Sequence, residues 1–416
     1  MGRKGRNRRS EAELDDDTAS TSTSATLASV SELGSEALSA GDPWEDCIEL
    51  LFEKRSSTRE QALDTLNCLF TSGFMYDESE SKQSTLTGQF LGSIKRGGSS
   101  ECALACKAVG LMSLTLGPCE QTEALWPEAR AALEGVLDST KGYAAKAVAL
   151  QSLALLCFIA AEEPSDTEEL LASMQQQWSS ASGPVVQASA LRAWSLLLTT
   201  APSSLLTSDF IEASLGRLAK CLHSASVDVR AAGGKAAALL YHRSGLAALD
   251  AEPDGDGENG LSSRDAAQQL GMADIVDRMK DLAKNTGDAS RRSRKDRASL
   301  RSTFKDLINV VEDGAQAESK VKLRHGDAVY ITTLAGNVQL DAMRQALSSG
   351  FQPHMQHNPF LHTVFCFQPQ EDPADRLTPA EKRLMRSPSS VSSKMRSQNM
   401  RRLQGSKGVM LDDGYL

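Results

Sequence analysis

Aromatic residues are scarce in this sequence. Phe, Trp and Tyr make up 5% of the 416 residues, whereas apolar residues as a whole make up 40%. Alanine and leucine supply much of the apolar content in the middle of the chain. Because these two residues favour helices, whereas strands draw on aromatic and β-branched side chains, the composition argues against a β-sandwich and for closely packed helices.

Cysteine pairs and long apolar runs are also missing. The eight cysteines are scattered without a CxxC pair, which argues against a disulfide scaffold or a zinc ribbon and favours a reduced, intracellular protein. The most apolar uncharged stretch, Ala147 to Ala161, is shorter than the roughly 20 residues of a membrane span. We therefore expect no membrane partner and a location in the cytoplasm, the nucleus or both.

The usual signatures of catalysis are absent. There is no phosphate-binding Gly-Lys-Ser/Thr loop, no GxGxxG after a strand, no nucleophile elbow and no HExxH. One dense group of ligand-type residues occurs in FQPHMQHNPFLHTVFCF, namely His354, His357, His362 and Cys366. Their spacing would suit zinc, but their apolar neighbours equally suit a short docked helix. We expect no catalytic residue, cofactor, metal or small-molecule substrate, and keep a metal-dependent enzyme at this cluster as a third hypothesis.

Charge is distributed unevenly along the chain. Residues 1–10 carry five basic groups and no acid, residues 11–290 have a net charge of −21, and residues 291–416 have a net charge of +7. An acidic body with basic ends is typical of proteins whose termini contact nucleic acid.

One apolar phrase recurs through the middle of the chain. KAVGLMSLTL (107–116) closely matches KAVALQSLAL (146–155), and related phrases begin near residues 59, 185 and 228. Aligning the polar residue at the head of each phrase gives steps of 48, 39, 41 and 43 residues, at Arg59, Lys107, Lys146, Gln187 and Arg230. Periods of this length indicate HEAT or armadillo repeats.

Each phrase is apolar on nearly every side, so it predicts a helix that is buried all round. The amphipathic segments between the phrases predict an outer layer of helices at residues 44–54, 79–96, 120–138, 165–179 and 204–222. The polar head residues either line a concave groove or start helices in solvent, and the sequence leaves both interpretations open.

The predicted fold is mainly α, with an armadillo/HEAT-like α-solenoid, a small α+β C-terminal module and disordered basic termini. The run VYITTL predicts a strand in that module, and LDAMRQALSS a helix after it. The predicted domains are a disordered segment at 1–41, the repeat domain at 42–290 with an acidic loop at 250–260, a C-terminal domain at 291–368 that begins with a basic helix, and a basic, largely disordered tail at 369–416.

Two basic stretches are candidates for contact with RNA phosphates. In RRSRKDRASLR (291–301), a helix would place Arg294, Arg297 and Arg301 on one face, as phosphate-contacting arginines often are. The full set of candidates is Arg291, Arg292, Arg294, Lys295, Arg297, Arg301, Lys382, Arg383, Arg386, Lys394, Arg396, Arg401 and Arg402. Phosphorylation of Ser387, which precedes a proline, would subtract positive charge from the tail and weaken RNA binding, as a comparison of Ser387→Asp with the wild type would test.

Two stretches in the C-terminal third carry recognisable motifs. RSTFKDLINVVEDG (301–314) is similar to the Gln-Arg-Ser-x-Phe-Arg-Asp segment of the interferon-related developmental regulator family, with Leu300 and Lys305 as departures, and the resemblance covers most of the chain. The stretch from residue 350 to 358 is similar to the family's Gly-x-x-x-His-Leu-x-x-Asn stretch. The positions that match these family motifs are Phe304, Gly350, His354 and Asn358.

The resemblance implies a non-enzymatic regulator of gene expression with an armadillo-like array. Members of the family are described as transcriptional co-regulators that bind proteins, and also as ribosome-associated factors that repress translation. The charge layout favours the second role, in which the scaffold docks on the ribosome or another ribonucleoprotein through residues 291–301 and 380–408. The alternative is a nuclear co-regulator that binds protein partners through the solenoid.

Overall fold

The computed structural model describes residues 42–180, 183–244, 271–284, 294–312, 314–323 and 328–369, with the backbone alone at 294–299. The predicted termini at 1–41 and 370–416 and the acidic loop at 250–260 lie outside the described residues.

Most of the described chain forms antiparallel pairs of helices, each with an outer and an inner member. The outer helices are α1 (Pro43–Leu51), α3 (Tyr76–Arg96), α5 (Glu120–Asp138), α7 (Pro164–Ser179) and α9 (Ser208–Cys221). The inner helices are α2 (Ser56–Ser72), α4 (Ser99–Leu116), α6 (Tyr143–Ala160), α8 (Pro184–Leu198) and α10 (Val227–Arg243). Every predicted outer segment overlaps a helix, with boundaries that differ by at most four residues. The α-solenoid prediction is confirmed.

The C-terminal elements complete the array and then leave it. Helices α11 (Met272–Lys284) and α12 (Arg294–Glu312) pack on each other and on α10. An antiparallel hairpin follows, with strands β1 (Ser319–Lys322) and β2 (Ala328–Ile331) in a register that pairs Val321 with Val329. Three further helices, α13 (Leu334–Leu347), α14 (Phe351–His357) and α15 (Pro359–Val364), return to the repeats. The predicted small α+β module is therefore present.

The inner helices form the core because they have no polar side to present to water. Helix α6 shows this most clearly: it packs between α4 and α8, and Leu150, Leu153 and Leu156 are fully buried. This helix also has the length and apolar character of a membrane span, but two thirds of it is buried among its neighbours in the solenoid. Its apolarity is accounted for by burial on both sides.

The predicted register of the repeat is wrong at one position. The inner helices begin at residues 56, 99, 143, 184 and 227, so the structural steps are 43, 44, 41 and 43 residues. Lys146 is the fourth residue of α6, whereas Lys107 is the ninth residue of α4. The two matching phrases therefore lie at different depths along their helices, and the residue equivalent to Lys146 is Cys102.

The fourth residue of an inner helix usually caps the outer helix before it. Lys146 Nζ donates to the Leu137 carbonyl at 2.6 Å, and Gln187 Nε2 donates to the Trp178 carbonyl at 2.9 Å. Arg59 and Arg230 likewise donate to carbonyls just beyond α1 and α9. Because helix C-termini leave carbonyls without intrahelical partners, these donors replace the water that the packed inner helix excludes.

The second pair obtains its cap from a different residue. Cys102 cannot reach across as a long basic side chain does, and Lys141 from the following loop donates to the carbonyls of Ile94 and Gly97 instead, at 2.6 and 3.0 Å. Four of the five head residues therefore neither line a groove nor merely start a helix in solvent. Instead, they connect the inner helix to the end of the outer helix before it.

Two adjacent glycines in α10 allow neighbours to approach closely. A Cβ atom at Gly233 would lie 2.9 Å from Cys221 Cβ, and one at Gly234 would lie 2.7 Å from Phe304 Cε1. Phe304 is fully buried and anchors α12 against α10. Each glycine lowers helix propensity by about 1 kcal/mol, a cost that is offset by the packing it allows.

We predict that Gly234→Ala destabilises the protein. Overpacking against Phe304 costs about 1–3 kcal/mol, and the gain in helix propensity returns about 1 kcal/mol of this. The free energy of unfolding, measured by urea titration followed by circular dichroism, should therefore fall. Gly216→Ala in α9 is the matched control: no atom lies within 4 Å of the position that its Cβ atom would take, so stability should rise. A stabilising Gly234→Ala would contradict the packing argument.

Candidate functional site

The structure describes only some of the residues that are predicted to contact RNA. Arg291, Arg292 and every candidate from Lys382 onward, together with Ser387, lie outside the described residues. Arg294, Lys295 and Arg297 belong to α12, whose backbone is described there without the side chains. Arg301 is described, and its side chain is exposed. The helix on which Arg294, Arg297 and Arg301 were expected to share a face exists, and their contact with RNA stays a prediction.

Arg301 lies beside a shallow basic depression between α11 and α12. Its cationic lining consists of Lys280, Lys284, Arg301 and Lys305, and Ala283, Ser302 and Ile308 complete it. Lys284, Arg301 and Lys305 are exposed, whereas Lys280 is paired with Glu312 at 2.5 Å. We call Lys284 at the end of α11, together with Arg301 and Lys305 of α12, the α12 cations. Phe304 and Leu307 are buried on the opposite side of α12, so this helix presents Arg301 and Lys305 on a backbone that is held against the array.

The remaining family-motif residues dock the C-terminus onto the repeats. We call residues 334–364, which comprise α13 to α15, the C-terminal clasp. Gly350 approaches the end of α2 so closely that a Cβ atom would lie 1.7 Å from the Thr71 carbonyl oxygen. No side chain can be accommodated at this distance, so the closeness of the two backbones accounts for the glycine.

His354 and Asn358 bind the C-terminal carbonyls of two inner helices. His354 Nε2 donates to the Phe70 carbonyl at 2.7 Å, and Asn358 Nδ2 donates to the Leu114 carbonyl at 2.9 Å. Asn358 Oδ1 also accepts from the backbone N–H of Phe360 and thereby caps α15. Both side chains are buried, with exposures of 0% and 1%. Phe70 and Leu114 each lie in the last turn of their helix, where carbonyls lack intrahelical partners.

Burial lowers the pKa of His354 below its ordinary value of 6.5, and the nearby His357 lowers it further, although hydrogen bonds to backbone carbonyls oppose the shift. The neutral ring carries its proton on Nε2, which leaves Nδ1 to face the Asn358 amide nitrogen at 3.4 Å. A proton on Nδ1 would place two donors against each other. The interaction therefore requires the neutral imidazole.

The clasp continues across the other inner helices. Gln339 Nε2 donates to Thr199 Oγ1, just after α8, at 3.0 Å, and Asp341 pairs with Lys235 of α10 at 2.5 Å. The Phe360 ring meets the Phe158 ring of α6 edge-to-face, with centroids 6.1 Å apart. One C-terminal segment thus contacts all five inner helices.

The histidine and cysteine group does not converge on a metal site. His354 and His362 each direct Nε2 to a backbone carbonyl, and His357 and Cys366 are exposed. Within the described ranges, no group of three or more His, Cys, Asp or Glu side chains is placed to hold a metal ion. The hypothesis of a metal-dependent enzyme has no support in this geometry.

Comparison with known proteins agrees with the family motifs. The family model described as "Interferon-related developmental regulator (IFRD)" matches residues 17–312, most of the chain. The chain belongs to the interferon-related developmental regulator family. Mouse interferon-related developmental regulator 2 is 30% identical over 77% of this chain and 72% of its own length. Pig interferon-related developmental regulator 1 is 25% identical over 76% of this chain and 69% of its own.

Solved structures with similar architecture include an engineered protein and a designed armadillo repeat protein. Their TM-scores are 0.42 and 0.40, at 16% and 17% identity. They cover 64% and 65% of this chain, and 98% and 100% of their own chains.

Sequence reasoning found the motif residues of this family member but missed what they do. The clasp binds backbone carbonyls, which every residue carries, so the partners of His354 and Asn358 leave no mark in the sequence. The one available signal was Gly350, because glycine is the residue that allows the backbone to approach another group closely.

We predict that His354 makes the stability of the clasp depend on pH. Because the folded pKa lies below the unfolded value, the stabilisation is fully present above about pH 6.5 and is lost as the pH falls from there toward the folded pKa. The melting temperature of the wild type should therefore fall more steeply between about pH 7.5 and 5 than that of His354→Gln. The exposed His357→Gln is the matched control and should keep most of the wild-type slope. Parallel profiles for wild type and His354→Gln would contradict the assignment.

Proposed function

We propose that this protein is a helical-repeat scaffold that docks on a ribonucleoprotein, most directly the ribosome, through α12 and the basic residues on either side of it. The observation that carries the proposal is the group of α12 cations. Lys284, Arg301 and Lys305 are exposed on a helix pair whose other side is locked into the array by Phe304. Cations carried by packed helices suit the phosphates of a folded RNA.

The charge distribution supports this orientation. Residues 11–290 carry a net charge of −21, so a polyanion is repelled from most of the outer surface. Arg301 and Lys305 follow that stretch, and the predicted basic residues at 291–297 and 382–402 lie on either side of them in sequence. Contact with RNA is therefore expected to be confined to the C-terminal part of the scaffold.

A protein-binding role of the solenoid, as in the co-regulator hypothesis, is a second proposal. It is supported by a groove along the inner helices that the clasp does not fill. The two functions use different surfaces and are compatible. Imaging of a tagged protein in living cells separates a nuclear co-regulator from a cytoplasmic factor, since complete exclusion from the nucleus would contradict the former.

We predict that the triple variant Lys284→Glu, Arg301→Glu, Lys305→Glu loses association with ribosomes. The measurement is sedimentation of the full chain with purified ribosomes through a sucrose gradient at two salt concentrations. Each phosphate contact that is lost should reduce the slope of log affinity against log salt by about one. Wild-type binding should weaken steeply with salt, because released counterions drive it.

The matched control reverses three exposed charges on the outer helices, with Lys95→Glu, Arg217→Glu and Lys220→Glu. It changes the net charge by the same amount and should sediment like the wild type. Association that persists in the α12 triple variant, or that does not respond to salt, would contradict the proposal.

A further inference from the structure

The ninth residues of the inner helices form a column along one face of the array. Counting from the first residue of each helix, the ninth is Asp64 in α2, Lys107 in α4, Gln151 in α6, Arg192 in α8 and Lys235 in α10. The four residues from Lys107 to Lys235 all line a single groove, which encloses a cavity of about 330 Å³. We call Lys107, Arg192 and Lys235 the groove cations.

The groove combines these charges with an apolar floor. Leu111, Leu155 and Leu196 lie in its lining, and Val338, Ala342 and Ala346 of the clasp form one wall. Among the residues that the structure describes, no aromatic side chain contributes to this lining. Clefts of this size that mix apolar walls with a few charged groups suit side chains of a bound ligand.

The groove cations are weakly engaged by the protein itself. Arg192 pairs with Asp228 at 3.6 Å, and Lys235 pairs with Asp341 at 2.5 Å, with all four side chains at least 40% exposed. Exposed pairs of this kind exchange partners at little cost. Lys107 is half-buried and makes no hydrogen bond or ion pair with the residues that the structure describes. A partly desolvated ammonium group in an apolar cleft favours an incoming anion.

The spacing of the groove cations matches an extended chain. Packed helices lie about 8–10 Å apart, so successive positions in the column are separated by about that distance. A peptide in the extended polyproline II conformation advances about 3.1 Å per residue, so it crosses one helix in roughly three residues. Its three residues per turn place every third side chain on the same face. A peptide that crosses α4, α6, α8 and α10 would therefore meet Lys107, Arg192 and Lys235 with its first, seventh and tenth residues.

We propose that this groove binds an extended acidic peptide segment of a partner protein. Its carboxylates contact the groove cations, and its apolar side chains occupy the Ala- and Leu-rich floor. The chain itself shows the chemistry, because the Asp341 carboxylate of the clasp already sits on Lys235. The inference rests on the protein-binding role proposed above as the second function, and it is independent of ribonucleoprotein docking, which uses the α12 cations.

A peptide suits the groove better than RNA does. Stacking on aromatic side chains is the main source of base binding to single strands, and the lining has none. The rest of the repeat domain is acidic, so it repels every phosphate of a bound polyanion. Three spaced carboxylates interact mainly with the cations within the screening distance of about 8–10 Å, and the more distant acidic groups affect them little.

The test is fluorescence anisotropy of labelled twelve-residue peptides with the full-length protein. The probe carries Asp at positions 1, 7 and 10 with Ala, Val and Thr between them, and the reference peptides carry Asn at those positions or the same Asp residues side by side. We expect the spaced acidic peptide to bind at least several-fold more tightly than either reference.

Variants on the protein assign the site. Lys107→Gln, Arg192→Gln, Lys235→Gln in one chain should weaken binding by about 3- to 150-fold, the range for the loss of three ion pairs. Lys95→Gln, Arg217→Gln, Lys220→Gln on the outer helices is the matched control and should bind like the wild type. Because Lys235 also holds Asp341, the single variant Lys107→Glu is measured as well; it leaves that pair intact and should still weaken binding clearly.

Three results would overturn the proposal. One is equal binding of the spaced and reference peptides, and another is unchanged binding by both groove variants. The third is displacement of the peptide by a twelve-nucleotide polyuridine that binds the wild type more tightly than the groove triple variant, which would make the groove an RNA site. Loss of ribosome binding in the α12 triple variant with peptide binding retained would separate the two functions.

Discussion

The constraint on which the rest of this structure depends is the need of helix C-termini for hydrogen-bond donors. Each helix ends with carbonyls that have no partner within it, and packing against apolar neighbours removes the water that would otherwise bind them. At the outer helices, Lys146, Gln187 and their equivalents supply the donors. At α2 and α4, the clasp supplies them through His354 and Asn358. The same requirement thus fixes both the repeat and the position of the clasp.

The clasp gives this solenoid contacts between segments that are far apart in sequence. Repeat arrays ordinarily contact only their neighbours, so stability spreads along one dimension. Here His354 meets Phe70 across 284 residues of sequence, and Asn358 meets Leu114 across 244. The clasp also reaches α8 and α10 through Gln339 and Asp341, and it supplies a wall of the groove. The segment that closes the array therefore also forms a wall of the groove.

The sequence predicted the helices well because the signal for a buried helix is local. The phrases around Leu150 and Leu153 are apolar on every side, and only a double-sided core accommodates them. The predicted register was wrong at Lys107 because the two similar phrases begin five residues apart when counted from the starts of their helices. In the second repeat, which has Cys102 at the position of Lys146, Lys141 supplies the capping hydrogen bond instead. Long-range partners were invisible, since His354 and Asn358 bind backbone atoms. The contacts of the basic residues beyond 381, like the domain boundaries, stay predictions.

The central claim is that the clasp and the first two repeats stabilise one another as a unit. Hydrogen exchange measured by mass spectrometry on the wild type and Gly350→Ala tests it most directly, because a Cβ atom at that position collides with the Thr71 carbonyl. The account predicts faster exchange in the clasp and, together with it, in the C-terminal halves of α2 and α4. Faster exchange confined to residues 348–357, with α2 and α4 as protected as in the wild type, would contradict it.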